Sequence, residues 1–85
     1  MVYVVIPRSA KCTAIQYDGN NFFELQRYIG PQIEKANKTA DRGMLLLDTP
    51  YGIQKVNVGD VVIHQNRYWR SISAESFTAR YQIIR

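Results

Sequence analysis

Apolar positions along the chain fall into several short extended runs and one stripe at helical spacing. Val2 to Ile6 is an apolar run stopped by Pro7, which lacks the N–H that an interior strand uses. Lys11 to Tyr17 alternates, with Cys12, Ala14 and Gln16 on one face and Thr13, Ile15 and Tyr17 on the other, and predicts a second strand. Four turn formers follow, Asp18-Gly19-Asn20-Asn21. They lead into a predicted helix with Asn21 as N-cap and Glu24 three residues later, placed to reach back to the cap's N–H. Phe22, Leu25 and Ile29 give that helix its apolar stripe, and Gly30-Pro31 ends it.

Residues 32–42 are polar and of mixed charge, the longest expected connection, in which Ile33 and Ala36 could anchor one more helical turn. Met44-Leu45-Leu46-Leu47 is continuously apolar and fits a strand covered on both faces. Thr49-Pro50-Tyr51-Gly52 supplies a turn, and Ile53 to Val58 alternates again, so the two runs are expected to pair as a hairpin. Val56-Asn57-Val58-Gly59-Asp60 then leads into Val61-Val62-Ile63. The Gly59-Asp60 step reads as a tight turn setting the register of a central hairpin. After Gln65-Asn66 comes an expected strand from Arg67 to Ile72. Ser73 caps a last short helix, with Ile72 and Phe77 at the spacing of a hydrophobic staple. Arg80 to Arg85 closes the chain as a strand.

The pattern predicts an α+β fold: one mainly antiparallel, strongly curved sheet, able to curl into a partial barrel, with one main helix packed on it and a short second helix. The 85 residues form one expected domain, 1–85. At this length roughly 60–65% of the unfolded surface is buried, and a 46% apolar content supplies the core.

Composition narrows the function classes. Cys12 is the single cysteine, so no internal disulfide forms, and a lone thiol suits a reducing cytoplasm. The apolar opening is short and lacks a basic leader or cleavage site, so it reads as a strand and not as a signal peptide. No apolar run approaches the ~20 residues that span a bilayer, so no membrane partner is expected. A net charge of +4 favours an acidic partner without naming one.

The chain carries no recognisable catalytic or metal motif. His64 is the only histidine and has no second histidine with which to form a zinc site or a triad. Asp18 and Asp60 sit in turn sequences and read first as turn formers, with a minor claim on a ligand. No cofactor is expected. The strongest candidate binding surface is the run Arg67-Tyr68-Trp69-Arg70 together with Arg80, Tyr81 and Tyr51. Aromatic faces stack on planar groups and arginines hold phosphates. Alternation along a strand puts Arg67 and Trp69 on one face and Tyr68 and Arg70 on the other, so at most half of the run lines one surface. The competing reading is structural: aromatic rings in the core and arginine stems packed along the surface.

Ala14-Ile15-Gln16-Tyr17-Asp18-Gly19-Asn20-Asn21 resembles the opening of a group of small tailed-phage and prophage proteins. In those, a short helix, a strand with a proline–glycine turn, a "PGDyI" strand and an aromatic tail follow. Here Leu47 to Gly52 is similar to the turn, Val58 to Ile63 to the Gly-Asp strand, and Ser73, Phe77 and Tyr81 to the tail. Val58 and Val61 stand where that group has a proline and an aromatic residue. The resemblance implies a phage origin and a fold, without a general activity. The expectation that follows is a non-enzymatic binding protein acting on a host process in the bacterial cytoplasm, such as a defence system, by binding a host protein or sequestering a ligand. The alternative is a nucleic-acid-binding module using the basic and aromatic strand 67–70. A nucleotide-like ligand is a further candidate partner, as is a second copy of the chain, paired through the apolar Val2–Ile6 strand.

Overall fold

In the computed structural model, which describes residues 2–6, 12–37, 43–65 and 67–84, eight strands and two helices follow one another along the chain. They are β1 (Val2–Ile6), β2 (Cys12–Gln16), α1 (Phe22–Ile29), β3 (Ile33–Lys35), β4 (Leu45–Thr49), β5 (Gly52–Val56), β6 (Val61–Gln65), β7 (Tyr68–Ile72), α2 (Ala74–Arg80) and β8 (Gln82–Ile84). The fold is α+β, and every strand pairing is antiparallel. The strands divide between two sheets where the pattern predicts a single curved one: a five-stranded sheet in the order β7-β6-β2-β1-β8 and a three-stranded sheet in the order β3-β4-β5. Neither closes on itself, so the barrel option is not taken up.

The five-stranded sheet is covered on both faces, which explains why its central strands are so apolar. Ile15 and Tyr17 of the β2 segment and Val62 of β6 join Leu25 and Ile29 of α1, Ile33, Leu45, Leu47 and Val56 in one buried cluster. Cys12, Ala14, Val61 and Ile63 point the other way and meet Phe77 of α2 in a second. The Val61-Val62-Ile63 run is therefore buried throughout, its side chains divided between two cores. The alternation from Cys12 to Tyr17 separates the two faces as its pattern predicts.

Several local expectations are met. Leu25 and Ile29 bury the α1 stripe, with Phe22 packed partly against it. Gly30 takes φ +91° and its N–H donates to Gln26 O at 2.8 Å, ending the helix. Ser73 Oγ accepts from Ser76 N at 3.1 Å at the start of α2, and both staple residues, Ile72 and Phe77, pack in the second core. β4 and β5 form the expected hairpin, paired from Leu45↔Val56 to Thr49↔Gly52.

Four expectations change. Residues 33–35 are a strand and not a helical turn: Ile33 pairs with Leu47 and enters the first core, which an extended backbone achieves directly. Asn21 occupies the N-cap position without a side-chain cap bond. Its Oδ1 accepts instead from Asp18 N at 2.9 Å, and its Nδ2 donates to Gln16 O at 2.7 Å and to Glu24 Oε1 at 3.1 Å, closing the 18–21 turn. Gly59-Asp60 is not the turn of a hairpin, because β5 and β6 belong to different sheets. It carries the chain between them: Gly59 N donates to Tyr17 O at 2.7 Å and Tyr17 N to Asp60 O at 2.9 Å, so the pair extends the β2–β6 ladder. Finally, β1 is flanked by β2 and β8, so it is an interior strand and offers no free edge to a second copy. Pro7, residues 38–42 of the long connection and Asn66 lie outside the described residues. No helix among the described residues is long and apolar enough to cross a membrane.

Candidate functional site

Two hairpin ends come together on one side of the molecule. The first is the β4–β5 turn. Thr49 Oγ1 accepts from Tyr51 N at 3.1 Å and donates to Gly52 O at 2.7 Å, so one hydroxyl locks a two-residue connection. Tyr51 projects from it, 83% exposed. The second is the β6–β7 connection, where β7 begins at Tyr68 and Arg67 precedes it with φ +71°. Among the described residues Arg67 is the one non-glycine residue with positive φ. For a long side chain that backbone costs on the order of 1 kcal/mol, which the surrounding hairpin has to supply.

The two hairpins are joined at defined points. Tyr51 and Tyr68 meet edge to face, their ring centroids 5.4 Å apart at 68°. Deeper in, Gln54 Oε1 of β5 accepts from Ser71 N of β7 at 2.8 Å, so a side chain satisfies an N–H of this outer strand and ties the sheets together. Asp48 N donates to Gln32 O at 2.8 Å, bringing β4 and the start of β3 to the same place.

Between the hairpins lies a hollow of about 360 Å³, open to solvent. Arg67, Tyr68 and Trp69 line one side, and Gln32, Asp48, Thr49 and Pro50 the other. Trp69 is half-buried, packed against the first core, with the exposed His64 ring 5.0 Å away across the β6–β7 pair. Its position is thus fixed from below while the residue borders the hollow. Among the described residues the Arg67 guanidinium, the Asp48 carboxylate, the Gln32 amide and the Trp69 indole N–H make no hydrogen bond or ion pair. The hollow therefore presents donors and acceptors of both signs beside two aromatic rings.

The structure divides the residues that the sequence singled out. Arg67 and Trp69 line the hollow, and Tyr51 stands at its edge through Tyr68. Arg70 faces the opposite side. Its Nη2 donates to Tyr81 Oη at 2.9 Å and to Gln65 Oε1 at 3.2 Å, and the Tyr81 hydroxyl donates to Gln65 Oε1 at 2.9 Å. This closed triangle, with Tyr81 stacked on Phe77, fits a structural role for Arg70 over the second core. Arg80 is exposed in the last turn of α2, where a cation suits the helix dipole. Asp60 Oδ2 accepts from Asn57 N at 2.9 Å and acts as a turn former outside the hollow. Asp18 Oδ1 likewise accepts from Asn20 N at 2.7 Å. The residues missed by sequence reading are Gln32, Asp48, Thr49 and Pro50. Two strand pairings bring them beside Trp69. Thr49 and Pro50 read in the sequence only as part of a turn, and no local pattern marks Gln32 or Asp48.

No group of three or more metal-ligating side chains occurs among the described residues. Cys12 is 8% exposed in the second core. Burial pushes its thiol above the usual range, and the nearby Arg70 charge opposes this only in part. Less thiolate forms at a given pH, so alkylation of the folded protein at pH 8 is expected to be at least about tenfold slower than in denaturant. Mass-spectrometric timing of iodoacetamide labelling checks this, and equal rates would place Cys12 at the surface.

Compared with known proteins, the chain matches no family model, no curated protein and no solved structure.

Proposed function

We propose that this chain is a small phage- or prophage-encoded binding protein that works without turnover in the cytoplasm of its bacterial host. It acts on a host process, with a defence system as the leading candidate, by holding a host protein or sequestering a ligand. The observation that carries the binding reading is the hollow between the two hairpins. Its shape is held by the Tyr51–Tyr68 contact and the Gln54–Ser71 bond, while its own polar groups are left unengaged. Ligand sites are built this way, with a few polar groups set into an apolar and aromatic wall. The phage origin rests on the resemblance of residues 14–21, 47–52 and 58–63.

The nucleic-acid reading has less support. Arg70 is tied to Tyr81 and Gln65, and Arg80 lies on α2, so strand 67–70 does not present a continuous basic face. A phosphate-binding stripe needs several free cations side by side.

Tagged protein incubated with host lysate is expected to retain a specific protein or small molecule, identified by mass spectrometry. Tyr51→Ala and Arg67→Gly are expected to reduce that retention at least about tenfold, the scale of one lost anchor contact. Steady-state turnover by the purified protein, lost on changing Asp60 or His64, would overturn the non-enzymatic reading.

A further inference from the structure

We propose that the hollow between the β4–β5 and β6–β7 turns binds a nucleoside phosphate. The base lies against Trp69 and Tyr68, the phosphate meets Arg67, and the N–H edge of the base meets Asp48. This rests on the binding reading above and names its ligand.

Size comes first. A volume of about 360 Å³ is at the small end of the ligand-site range and suits a mononucleotide, open to solvent on one side. The walls come next. Trp69 and Tyr68 border the hollow, and stacking on aromatic side chains is the general way proteins hold a base. Trp69 is braced by the first core and by His64, so little ordering is needed when a ring settles on it.

Charge then selects the ligand. Arg67 and Asp48 line the same hollow, and neither has an ion-pair partner among the described residues. A ligand that satisfies both has an anionic end and an end rich in N–H donors. A simple anion would meet the Asp48 carboxylate as well as the cation, and a polyphosphate backbone would meet it repeatedly. A nucleoside phosphate has both ends. Guanine, with adjacent ring and amino N–H groups on one edge, matches a carboxylate better than adenine does. The backbone at Arg67 points the same way. Glycine would occupy φ +71° without strain, yet the position holds an arginine, whose guanidinium fits a phosphate with two parallel bonds.

The test titrates GMP, AMP, sodium phosphate and a short single-stranded oligonucleotide separately into the whole protein. Trp69 is the only tryptophan, so its fluorescence reports from the hollow itself, and calorimetry supplies the affinity. Saturable quenching by GMP is expected, with AMP weaker by about tenfold, the value of one good hydrogen-bonded pair. Sodium phosphate should give no signal over the same range. Arg67→Gly is expected to weaken GMP binding roughly 10- to 100-fold without lowering thermal stability, because glycine takes the same backbone freely. Asp48→Asn is expected to erase the preference for GMP over AMP. The assignment is overturned by silence with both mononucleotides at millimolar concentration, or by phosphate binding as well as GMP. Binding of the oligonucleotide alone, with a steep salt dependence, also overturns it. If the titrations are silent while Arg67→Gly still abolishes retention of a host partner, the ligand class falls and the binding reading stands.

Discussion

Leu47→Ala is expected to lower the unfolding free energy by about 3–4 kcal/mol, within the range for a leucine removed from a closed core. Leu47 is fully buried, paired with Ile33 on one side and Gln54 on the other, in the cluster that joins the two sheets and α1. Neighbours on two sheets and a helix cannot all move inward together, so much of the lost volume stays as a cavity. A domain of this size has about 4–13 kcal/mol of total stability, so one truncation removes a large share of it. With a urea slope of about 1 kcal/mol/M, the midpoint should fall by roughly 3 M, or the variant should be partly unfolded without denaturant. Trp69 fluorescence follows the transition, since the indole packs on the same cluster. A midpoint shift below about 0.5 M would mean that Leu47 does not hold the sheets together.

This centrality of Leu47 was only partly visible in the sequence. A continuous apolar run predicts a strand covered on both faces, whereas β4 buries only the Leu45 and Leu47 face and leaves Leu46 half-buried and Asp48 exposed. The Thr49–Gly52 turn predicts its hairpin partner. Neither tells which sheet the hairpin joins. Gly59-Asp60 shows the difficulty. A glycine with positive φ followed by an aspartate whose carboxylate accepts from Asn57 N is the chemistry of a tight hairpin turn. Here the same chemistry redirects the chain from the three-stranded sheet into the five-stranded one, and its backbone groups bond to Tyr17, more than forty residues earlier. Local signals specify a bend, while the partner across the bend is set by long-range packing. Ile33 fails for the same reason: three residues are too few for periodicity to separate a strand from a helical turn, and pairing with Leu47 decides.

The site divides along the same line. Arg67, Trp69 and Tyr51 were legible because arginine and aromatic residues clustered near a turn attract notice. Strand alternation puts Arg70 and Tyr68 together on the other face. Arg70 does leave, into the triangle with Gln65 and Tyr81. Tyr68 stays at the hollow against Tyr51, so three of the four residues line it. Asp48 and Gln32 were invisible. An aspartate ending an apolar strand and a glutamine after a helix have no pattern of their own. They border the same hollow as Trp69 only because β3 pairs with β4 and the β4–β5 hairpin leans on β7. Those two residues separate a basic aromatic patch from a site with charges of both signs.

Phe77→Ala tests the opposite face of the five-stranded sheet, and its expected cost is about 2–3 kcal/mol, below the usual range for a deeply buried phenylalanine. Phe77 is 6% exposed, and its cluster is covered on the outside by a single helix of seven residues. A helix that short has almost no stability of its own and is held by the Ser73 cap and by Phe77 and Ile72 beneath it. Part of the lost packing is therefore relieved by α2 lifting away and not by collapse of the sheet. The consequence is local. The amides of Phe77 and Tyr81, which donate to Ser73 O at 2.9 Å and Phe77 O at 3.0 Å, should lose hydrogen-exchange protection while those of β2 and β6 keep it. Cys12 shares the Phe77 cluster, so its alkylation should accelerate in step with that opening. The hollow lies on the other face and should keep its Trp69 emission. Uniform loss of protection across both helices and both sheets would show instead that the two cores unfold as one unit, with α2 as much a part of it as Leu47.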